Sequence, residues 1–469
     1  MGRPRRTSVI GGAGLCACLL LVVGGRPADP SAQEGPRSRT IETPIRMAVE
    51  DYRLANGLNV VLSRDTSAPV VAVNLWYHVG SANEEPGRTG FAHLFEHMMF
   101  QGSAHIGDDE HFRLIQEAGG TLNGSTSTDR TNYFQAVPSN FLEQVLWQES
   151  DRMGFLLDGM TQEKLDNQRN VVQNERRQRY ENAPYGLAGE TIAAALYPQG
   201  HPYSWPTIGS MTDLNAASME DVQAFFRTYY APNNASLALV GDFDPAQAKR
   251  WVERYFGDIP AGVPIARERP ASPVNLEAER RLVLEDRVQL ARLYVVWPSP
   301  AIFEPHDADL DVLGHVLAGD RSSRLTQRLV NRDRLAQFVS ATQSSRELGG
   351  QFSIVVQARP GVTLARVRAV VDEEVARVLR EPPTEREIER ARNTLEAFFI
   401  QSLETSLDRA DRLNAYATYV GDPAFVVQDL ARYGTVTAAT VQEAARRFLH
   451  DRRVMLSVVP EGKMALAVR

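Results

Sequence analysis

Cysteine is almost absent from this chain of 469 residues, which contains two cysteines. Both of them, Cys16 and Cys18, lie within the first 32 residues. The rest of the chain therefore has no disulfide bond, no thiol nucleophile and no cysteine-ligated metal. A chain without cysteine is compatible with an oxidising compartment, and hence with export.

The sequence also lacks the signatures of several enzyme classes. It contains no phosphate-binding loop, no dinucleotide fingerprint and no Gly-x-Ser-x-Gly nucleophile elbow. Lys and Arg total 51 against 58 Asp and Glu, and the net charge of −7 argues against nucleic acid as the main partner. The hydrophobic share of 43% and the charged share of 23% exclude a polytopic membrane protein and a wholly disordered chain.

Residues 1–32 are typical of a secretory signal peptide. Three arginines precede an apolar run over residues 9–23, and small residues and prolines then lead to residue 32. We therefore expect an exported protein, periplasmic or secreted, with no stable membrane insertion after cleavage. An uncleaved segment would instead anchor the protein in a membrane. Removing these residues takes away four arginines and one aspartate, so the net charge falls from −7 to −10.

The remaining sequence divides at a stretch with four prolines, residues 260–274, which is typical of an extended linker. A helix-then-strand pattern occurs on both sides of it, at 214–240 and at 436–459. A strand-then-helix pattern also recurs, at 70–101 and at 291–329. The sequence therefore predicts an α+β fold of two homologous domains, 46–259 and 275–469.

The most informative motif is His93-Leu94-Phe95-Glu96-His97. On a helix, successive residues are turned by about 100°, so His97 lies about 40° from His93, and Glu96 lies about 60° away on the other side. Two imidazoles four residues apart can bind one Zn²⁺, and the glutamate beside them can hold a water molecule. This order of residues is the inverted zincin motif.

A catalytic zinc site needs a third protein ligand. Among acidic residues, Glu175 lies in an amphipathic helical stretch, and on spacing alone Glu163 and Glu181 compete with it. Three histidines are further candidates: His105, His111 and His201.

Six segments together resemble the M16 family of inverted-zincin metallopeptidases, which includes pitrilysin, insulysin and the mitochondrial processing peptidase. These segments are GFAHLFEHMMFQGS (90–103), GGTLNGSTSTDRTNY (119–133), RNVVQNERR (169–177), GHPYSWPTIGS (200–210), YYAPNNASLALVGDF (229–243) and GDRSSRLTQRLV (319–330). The resemblance covers nearly all of the chain after residue 32. It implies that each domain is a mainly antiparallel sheet packed with helices, so that the chain forms half of an M16 clamshell.

The resemblance also implies roles for individual residues. His93, His97 and Glu175 are the expected ligands of one Zn²⁺ per chain, and Glu96 is the expected general base. The segment 119–126 corresponds to an edge strand to which the substrate adds as a further β-strand, which suits extended peptides.

The substrate-binding residues implied on this strand are Asn123, at the position that contacts the substrate backbone, with Gly120 and Gly124 beside it.

The chain departs from the family pattern at two places. Gln168 stands where several relatives have an acidic residue two helical turns before the third ligand. In the second domain, Val330 and Gln337 occupy the positions of an Arg and a Tyr that grip the substrate carbonyl, and a shift of one residue would offer Phe338. That domain has no second zinc motif, and His315 is interpreted as an ordinary core or surface histidine.

From these observations we expect a zinc-dependent endopeptidase that works on extended or unfolded polypeptides inside a dimeric chamber. Because the Arg and Tyr are absent, a heterodimer with a homologous zinc-less chain is favoured over a homodimer. The alternative is a non-catalytic M16-like scaffold or peptide-binding subunit.

Overall fold

The computed structural model describes residues 37–41, 47–267 and 273–468. The predicted signal peptide and residues 268–272 of the predicted linker lie outside these ranges. None of the helices in the described ranges is long and apolar enough to span a membrane.

The first half of the chain contributes seven strands. They are β1 (Arg37–Ile41), β2 (Met47–Arg53), β3 (Asn59–Arg64), β4 (Val70–Tyr77), β5 (Thr121–Thr126), β6 (Thr131–Pro138) and β7 (Ala235–Gly241). They form one sheet in the order β1-β2-β3-β7-β4-β6-β5, in which only β3 and β7 run parallel. The turn between β2 and β3 contains Gly57 with φ +91°, as the Asn-Gly pair at this position predicts.

The second half contributes five strands. They are β8 (Arg280–Asp286), β9 (Arg292–Ser299), β10 (Ala336–Ser344), β11 (Gly350–Ala358) and β12 (Val454–Pro460). Their order, β10-β11-β9-β12-β8, repeats the order β5-β6-β4-β7-β3 of the first sheet. The single parallel pair, β8 with β12, also corresponds to β3 with β7. The predicted repeat of one α+β unit is therefore present at the level of strand order.

Fourteen α-helices accompany the sheets in the described residues. In the first half they are α1 (Phe91–Met98), α2 (Glu110–Glu117), α3 (Leu142–Phe155), α4 (Gln162–Arg176), α5 (Ala188–Leu196), α6 (Met211–Ala216), α7 (Met219–Tyr229) and α8 (Pro245–Phe256). In the second half they are α9 (Asp307–Ala318), α10 (Leu364–Arg380), α11 (Glu385–Gln401), α12 (Ser406–Tyr419), α13 (Val426–Gly434) and α14 (Ala438–Phe448). The helix expected within 307–329 ends at Ala318, and a separate helical turn follows at Thr326–Arg332.

The two halves cover each other's sheets. Helices α11 to α13 of the second half pack on the first sheet, where Phe399, Leu413 and Tyr416 contact the apolar face that includes Val61 and Val240. In return, α5 of the first half packs on β9 and β12 of the second sheet. The strands of the first sheet precede the predicted boundary near residue 260 and those of the second sheet follow it. Helices from each half, in contrast, pack on the sheet of the other half.

A polar contact reinforces this crossing close to β5. Asp411 on α12 accepts hydrogen bonds at one carboxylate oxygen from the side chains of Asn74, Trp76 and Asn132, at 3.1, 3.0 and 3.0 Å. These three donors lie on β4 and β6 of the first sheet. The second half thereby fixes the strand β6 on which the edge strand β5 is paired.

Candidate active site

Helix α1, which carries the His-x-x-Glu-His motif, is held at its N-terminus by a buried carboxylate. Glu84 is 7% exposed and accepts hydrogen bonds from the backbone N–H groups of Gly90, at 3.0 Å, and Ala92, at 2.8 Å. The first N–H groups of a helix have no partner within the helix, and the helix dipole favours negative charge at this end. Glu84 therefore fixes where α1 begins.

Both motif histidines are directed toward Glu175 on α4. The Nε2 atom of His97 lies 3.3 Å from Glu175 Oε2, and the Nε2 atom of His93 lies 3.7 Å from the same oxygen. The imidazole centroids are 4.9 Å apart. One ligand atom from each residue lies within 4.8 Å of the other two. The side chains of His93, His97 and Glu175 are 12, 23 and 17% exposed, so this cluster is partly buried and still reachable from solvent.

Glu175 is placed by the way α4 packs and is steadied by an arginine. Leu165 and Val172 are fully buried on the inner side of α4. The other carboxylate oxygen of Glu175, Oε1, lies 2.7 Å from Arg179 Nη1, one turn further on. One oxygen is thus held by the guanidinium group while the other faces the imidazoles.

The competing acids do not join this cluster. Glu163 is exposed in the first turn of α4, and Glu181 is exposed and lies 3.4 Å from Arg176. Of the three acids that spacing allowed, Glu175 is the one that the structure brings to the histidines.

The three histidines considered as further ligands also lie outside the cluster. His105 Nδ1 contacts Asp151 at 2.5 Å, and His111 is buried. His201 accepts a hydrogen bond from the backbone N–H of Tyr203.

The electrostatics of the cluster favour the protonation states that a metal requires. Burial, together with the neighbouring His97, lowers the pKa of His93 to about 4, so this imidazole is neutral near pH 7. The hydrogen bond with His97 lowers the pKa of Glu175, with the positive charge of Arg179 acting in the same direction, so this carboxylate is ionised. Neutral imidazole and ionised carboxylate are the forms that bind metal.

The separations between the Glu175 carboxylate and the two imidazole nitrogens fit a tetrahedral ion such as zinc. Ligand atoms about 2.1 Å from a tetrahedral metal lie about 3.4 Å from one another. The two measured nitrogen-to-oxygen separations, 3.3 and 3.7 Å, bracket this value. The donor set of two imidazoles and one carboxylate is one that catalytic zinc sites use.

Glu96 lies beside this cluster and contacts β5. Its Oε2 atom accepts a hydrogen bond from Thr126 Oγ1 at 2.5 Å. Burial raises the pKa of Glu96 above that of an ordinary glutamate, although the Thr126 hydrogen bond opposes this change. A carboxylate with a raised pKa is a stronger base.

The three residues predicted to bind substrate have different surroundings on or next to β5. Asn123 is exposed, and its Oδ1 accepts a hydrogen bond from the backbone N–H of Gly124 at 2.9 Å. A Cβ atom on Gly124 would lie 3.2 Å from Glu96 Cγ, so the missing side chain gives Glu96 room. A Cβ atom on Gly120 would lie 2.6 Å from a Val137 methyl carbon, so close packing against β6 requires glycine there.

In the second half, the residues that depart from the family pattern lie in different surroundings. Val330 packs against the second core. Gln337 is exposed at an irregularity in the pairing of β10 with β11, and Phe338 is 43% exposed. His315, interpreted from the sequence as an ordinary core or surface histidine, is 7% exposed within α9 and therefore lies in the core.

Sequence reasoning missed two residues that shape this site, Glu84 and Thr126. An acidic residue shortly before a glycine-initiated helix was a usable signal for Glu84. Thr126 shares the face of β5 with Gly124, and the alternation of a strand would have placed its hydroxyl toward α1.

Comparison with known families shows two matches. Residues 59–207 match the model described as insulinase (peptidase family M16), and residues 216–395 match the model described as the peptidase M16 inactive domain. Together they include strands β3 to β11 and every member of the histidine–glutamate cluster.

Individual proteins show the same similarity. The zinc protease PqqE of Helicobacter pylori is 28% identical over 364 residues, which are 77% of this chain and 81% of the relative. The crystal structure of a protease from Helicobacter pylori superposes with a TM-score of 0.82 at 24% identity, covering 91% of this chain and 100% of that one. The periplasmic protease PqqL from Escherichia coli superposes with a TM-score of 0.72 at 19% identity, covering 93% of this chain but 49% of PqqL.

The cap on α1 gives a direct test of how this helix is held. We expect Glu84→Gln to lower the free energy of unfolding by about 1–3 kcal/mol. In the wild type both side-chain oxygens accept a backbone N–H, whereas in the variant the glutamine NH₂ group would face one of these N–H groups and leave it without an acceptor. Chemical denaturation measures the change. Glu85→Gln is the matched control, since Glu85 is exposed next to it. Equal stabilities of the two variants would contradict this role of Glu84.

Proposed function

The chain belongs to peptidase family M16, and we propose that it is a zinc-dependent endopeptidase acting on extended peptides or unfolded polypeptides. The observation that carries the proposal is the convergence of His93, His97 and Glu175 from two helices on one point. Glu96 lies next to that point with a raised pKa. These are the parts that hydrolysis of a peptide bond by water requires.

His93, His97 and Glu175 would hold the zinc ion. A bound zinc ion polarises the scissile carbonyl and makes water a nucleophile near neutral pH. The Glu96 carboxylate takes the proton from the attacking water and later donates it to the leaving amine. Arg179 keeps the Glu175 carboxylate in place through its contact with Oε1.

The substrate would bind along the outer edge of β5, which pairs with β6 on its inner side. Hydrogen bonds from an edge strand are made to the peptide backbone, so they favour extended chains and read little sequence. The Oδ1 atom of Asn123 accepts the hydrogen bond of the Gly124 N–H. We propose that an arriving peptide displaces it and that Asn123 then contacts the substrate backbone.

A second chain is proposed to complete the site. The chain spans about half of PqqL, which indicates that a comparable second half exists in that protein. Val330, Gln337 and Phe338 do not supply the Arg and Tyr that relatives use. We therefore propose a heterodimer with a homologous zinc-less chain that supplies them, and a homodimer is the alternative.

Export is proposed on the N-terminal sequence. Residues 1–32 have the basic, apolar and small-residue regions of a signal peptide, and the rest of the chain has no cysteine. A chain without cysteine after residue 32 is compatible with an oxidising compartment. A periplasmic or secreted enzyme would encounter unfolded polypeptides there.

Removing the third ligand should abolish metal binding. We expect purified wild-type protein to hold one zinc per chain and Glu175→Ala to lose it, because two imidazoles alone bind zinc weakly. Metal analysis and titration calorimetry with ZnCl₂ measure stoichiometry and affinity. Glu163→Ala, on the same helix, should keep the zinc. Zinc retained at wild-type affinity by Glu175→Ala would refute this ligand set.

Replacing the base should separate chemistry from metal binding. We expect Glu96→Gln to keep its zinc and to lose about 10²–10⁴-fold in kcat on an unfolded polypeptide, because the amide accepts no proton. Glu117→Gln on the exposed face of α2 is the control. Turnover retained by Glu96→Gln would remove Glu96 from this role. A zinc-loaded wild-type protein that binds peptides without cleaving them would support the scaffold alternative.

The partner proposal predicts how the chain behaves when it is isolated. We expect purification from the native source to yield a homologous zinc-less chain in equal amount, and the isolated chain to be at least about 10-fold less active than the complex, since donors to the substrate carbonyl are worth that much. Mass spectrometry and peptidase assays measure both. Full activity of the isolated chain would exclude the heterodimer.

A further inference from the structure

The substrate-binding strand itself holds the general base. Thr126 ends β5, and its hydroxyl donates to Glu96 Oε2 at 2.5 Å. Gly124, on the same face of the strand, leaves space that the Glu96 side chain and the Phe100 ring occupy. We propose that Thr126 is a positioning residue that orients the Glu96 carboxylate, an inference that rests on the base role proposed for Glu96.

Glu96 needs such a partner because little else holds its carboxylate. Among the residues that the structure describes, no other group donates a hydrogen bond to it. A free glutamate side chain samples many rotamers, and fixing it costs entropy that a strong contact must offset. With Oε2 bound to Thr126, the remaining oxygen, Oε1, is left to meet the reacting water.

The proton of the Thr126 hydroxyl is available for this bond. The neighbouring hydroxyl, that of Thr131, lies 3.4 Å away and donates instead to the backbone carbonyl of Val79, at 2.9 Å. The Glu96 carboxylate is thus the acceptor at hydrogen-bond distance that takes the Thr126 proton, and a hydrogen bond to an ionised acceptor is a strong one.

The hairpin that carries Thr126 is anchored around its turn. Its turn closes through the bond from Ser127 N to Arg130 O, at 2.8 Å. Asn132, next in β6, donates to Asp411 of the second half. In the turn, Asp129 accepts the backbone N–H of Glu347 at 3.1 Å. Thr126 therefore offers a fixed hydroxyl.

This arrangement ties the base to the substrate. A peptide added to the outer edge of β5 takes its register from the backbone of the same strand whose inner face holds Glu96. The distance between the scissile bond and the carboxylate is then set by one element. Losing the Thr126 hydroxyl should accordingly affect the chemical step and leave peptide binding intact.

Three variants test the proposal in the zinc-loaded full chain, in the complex if one is required. We expect Thr126→Val to lower kcat about 10- to 100-fold with KM within about 2-fold of wild type, as for the loss of one hydrogen bond to a charged group. Thr126→Ser should restore most of kcat. Thr228→Val, a control on α7, should change neither constant. A wild-type kcat in Thr126→Val, or no rescue by serine, would overturn the proposal.

A readout independent of turnover separates this inference from the proposed function. Crystal structures of wild type and Thr126→Val should show the Glu96 carboxylate displaced in the variant, with equal zinc content in both. An unmoved carboxylate would overturn the positioning role whether or not the protein is a peptidase. An inactive wild type with a displaced carboxylate in the variant would refute the proposed function and support the positioning role.

Discussion

The site depends on the meeting of two imidazoles and one carboxylate from helices that are distant in sequence. His93 and His97 are adjacent because of the helical repeat, but Glu175 reaches them only because α1 and α4 pack together. The separations of 3.3 and 3.7 Å between nitrogen and oxygen atoms suit a metal better than an ordinary ion pair, since only the shorter one is within hydrogen-bond reach. Glu84, at the start of α1, and Arg179, beside Glu175, support this convergence.

That support has an electrostatic side. Partial burial keeps His93 neutral and raises the pKa of Glu96, while Arg179 and His97 keep Glu175 ionised. Two carboxylates a short distance apart are thereby driven toward different pKa values by their surroundings. Such a divergence is what the roles proposed for Glu175 and Glu96 require. Burial of Glu96, and the His97 and Arg179 side chains beside Glu175, produce this divergence without any unusual residue type.

The sequence predicted this site unevenly. The pairing of His93, Glu96 and His97 followed from the helical repeat, but Glu175 was chosen over Glu163 and Glu181 only through a family resemblance, because spacing carries no tertiary information. The strand at Val70–Tyr77 was predictable from its β-branched and aromatic residues. The packing of helices from each half on the sheet of the other half could not be predicted. An amphipathic pattern indicates that a helix has a buried face, but it does not indicate which sheet that face contacts.

The same crossing explains why the site cannot be understood from the first half alone. The edge strand that holds Glu96 is paired with β6, and β6 is fixed from behind by Asp411 of α12. The turn joining the two strands is held by the backbone of Glu347. The described residues of the second half form no metal-binding cluster of their own. That half nevertheless has a structural role, because it fixes the strand that holds the Glu96 carboxylate. In that half, Val330 and Gln337 stand at the positions where the family resemblance implies an Arg and a Tyr. The second half therefore supports the β5–β6 hairpin but does not contribute the Arg and Tyr. The lack of these two side chains is the reason for expecting a second chain opposite the site.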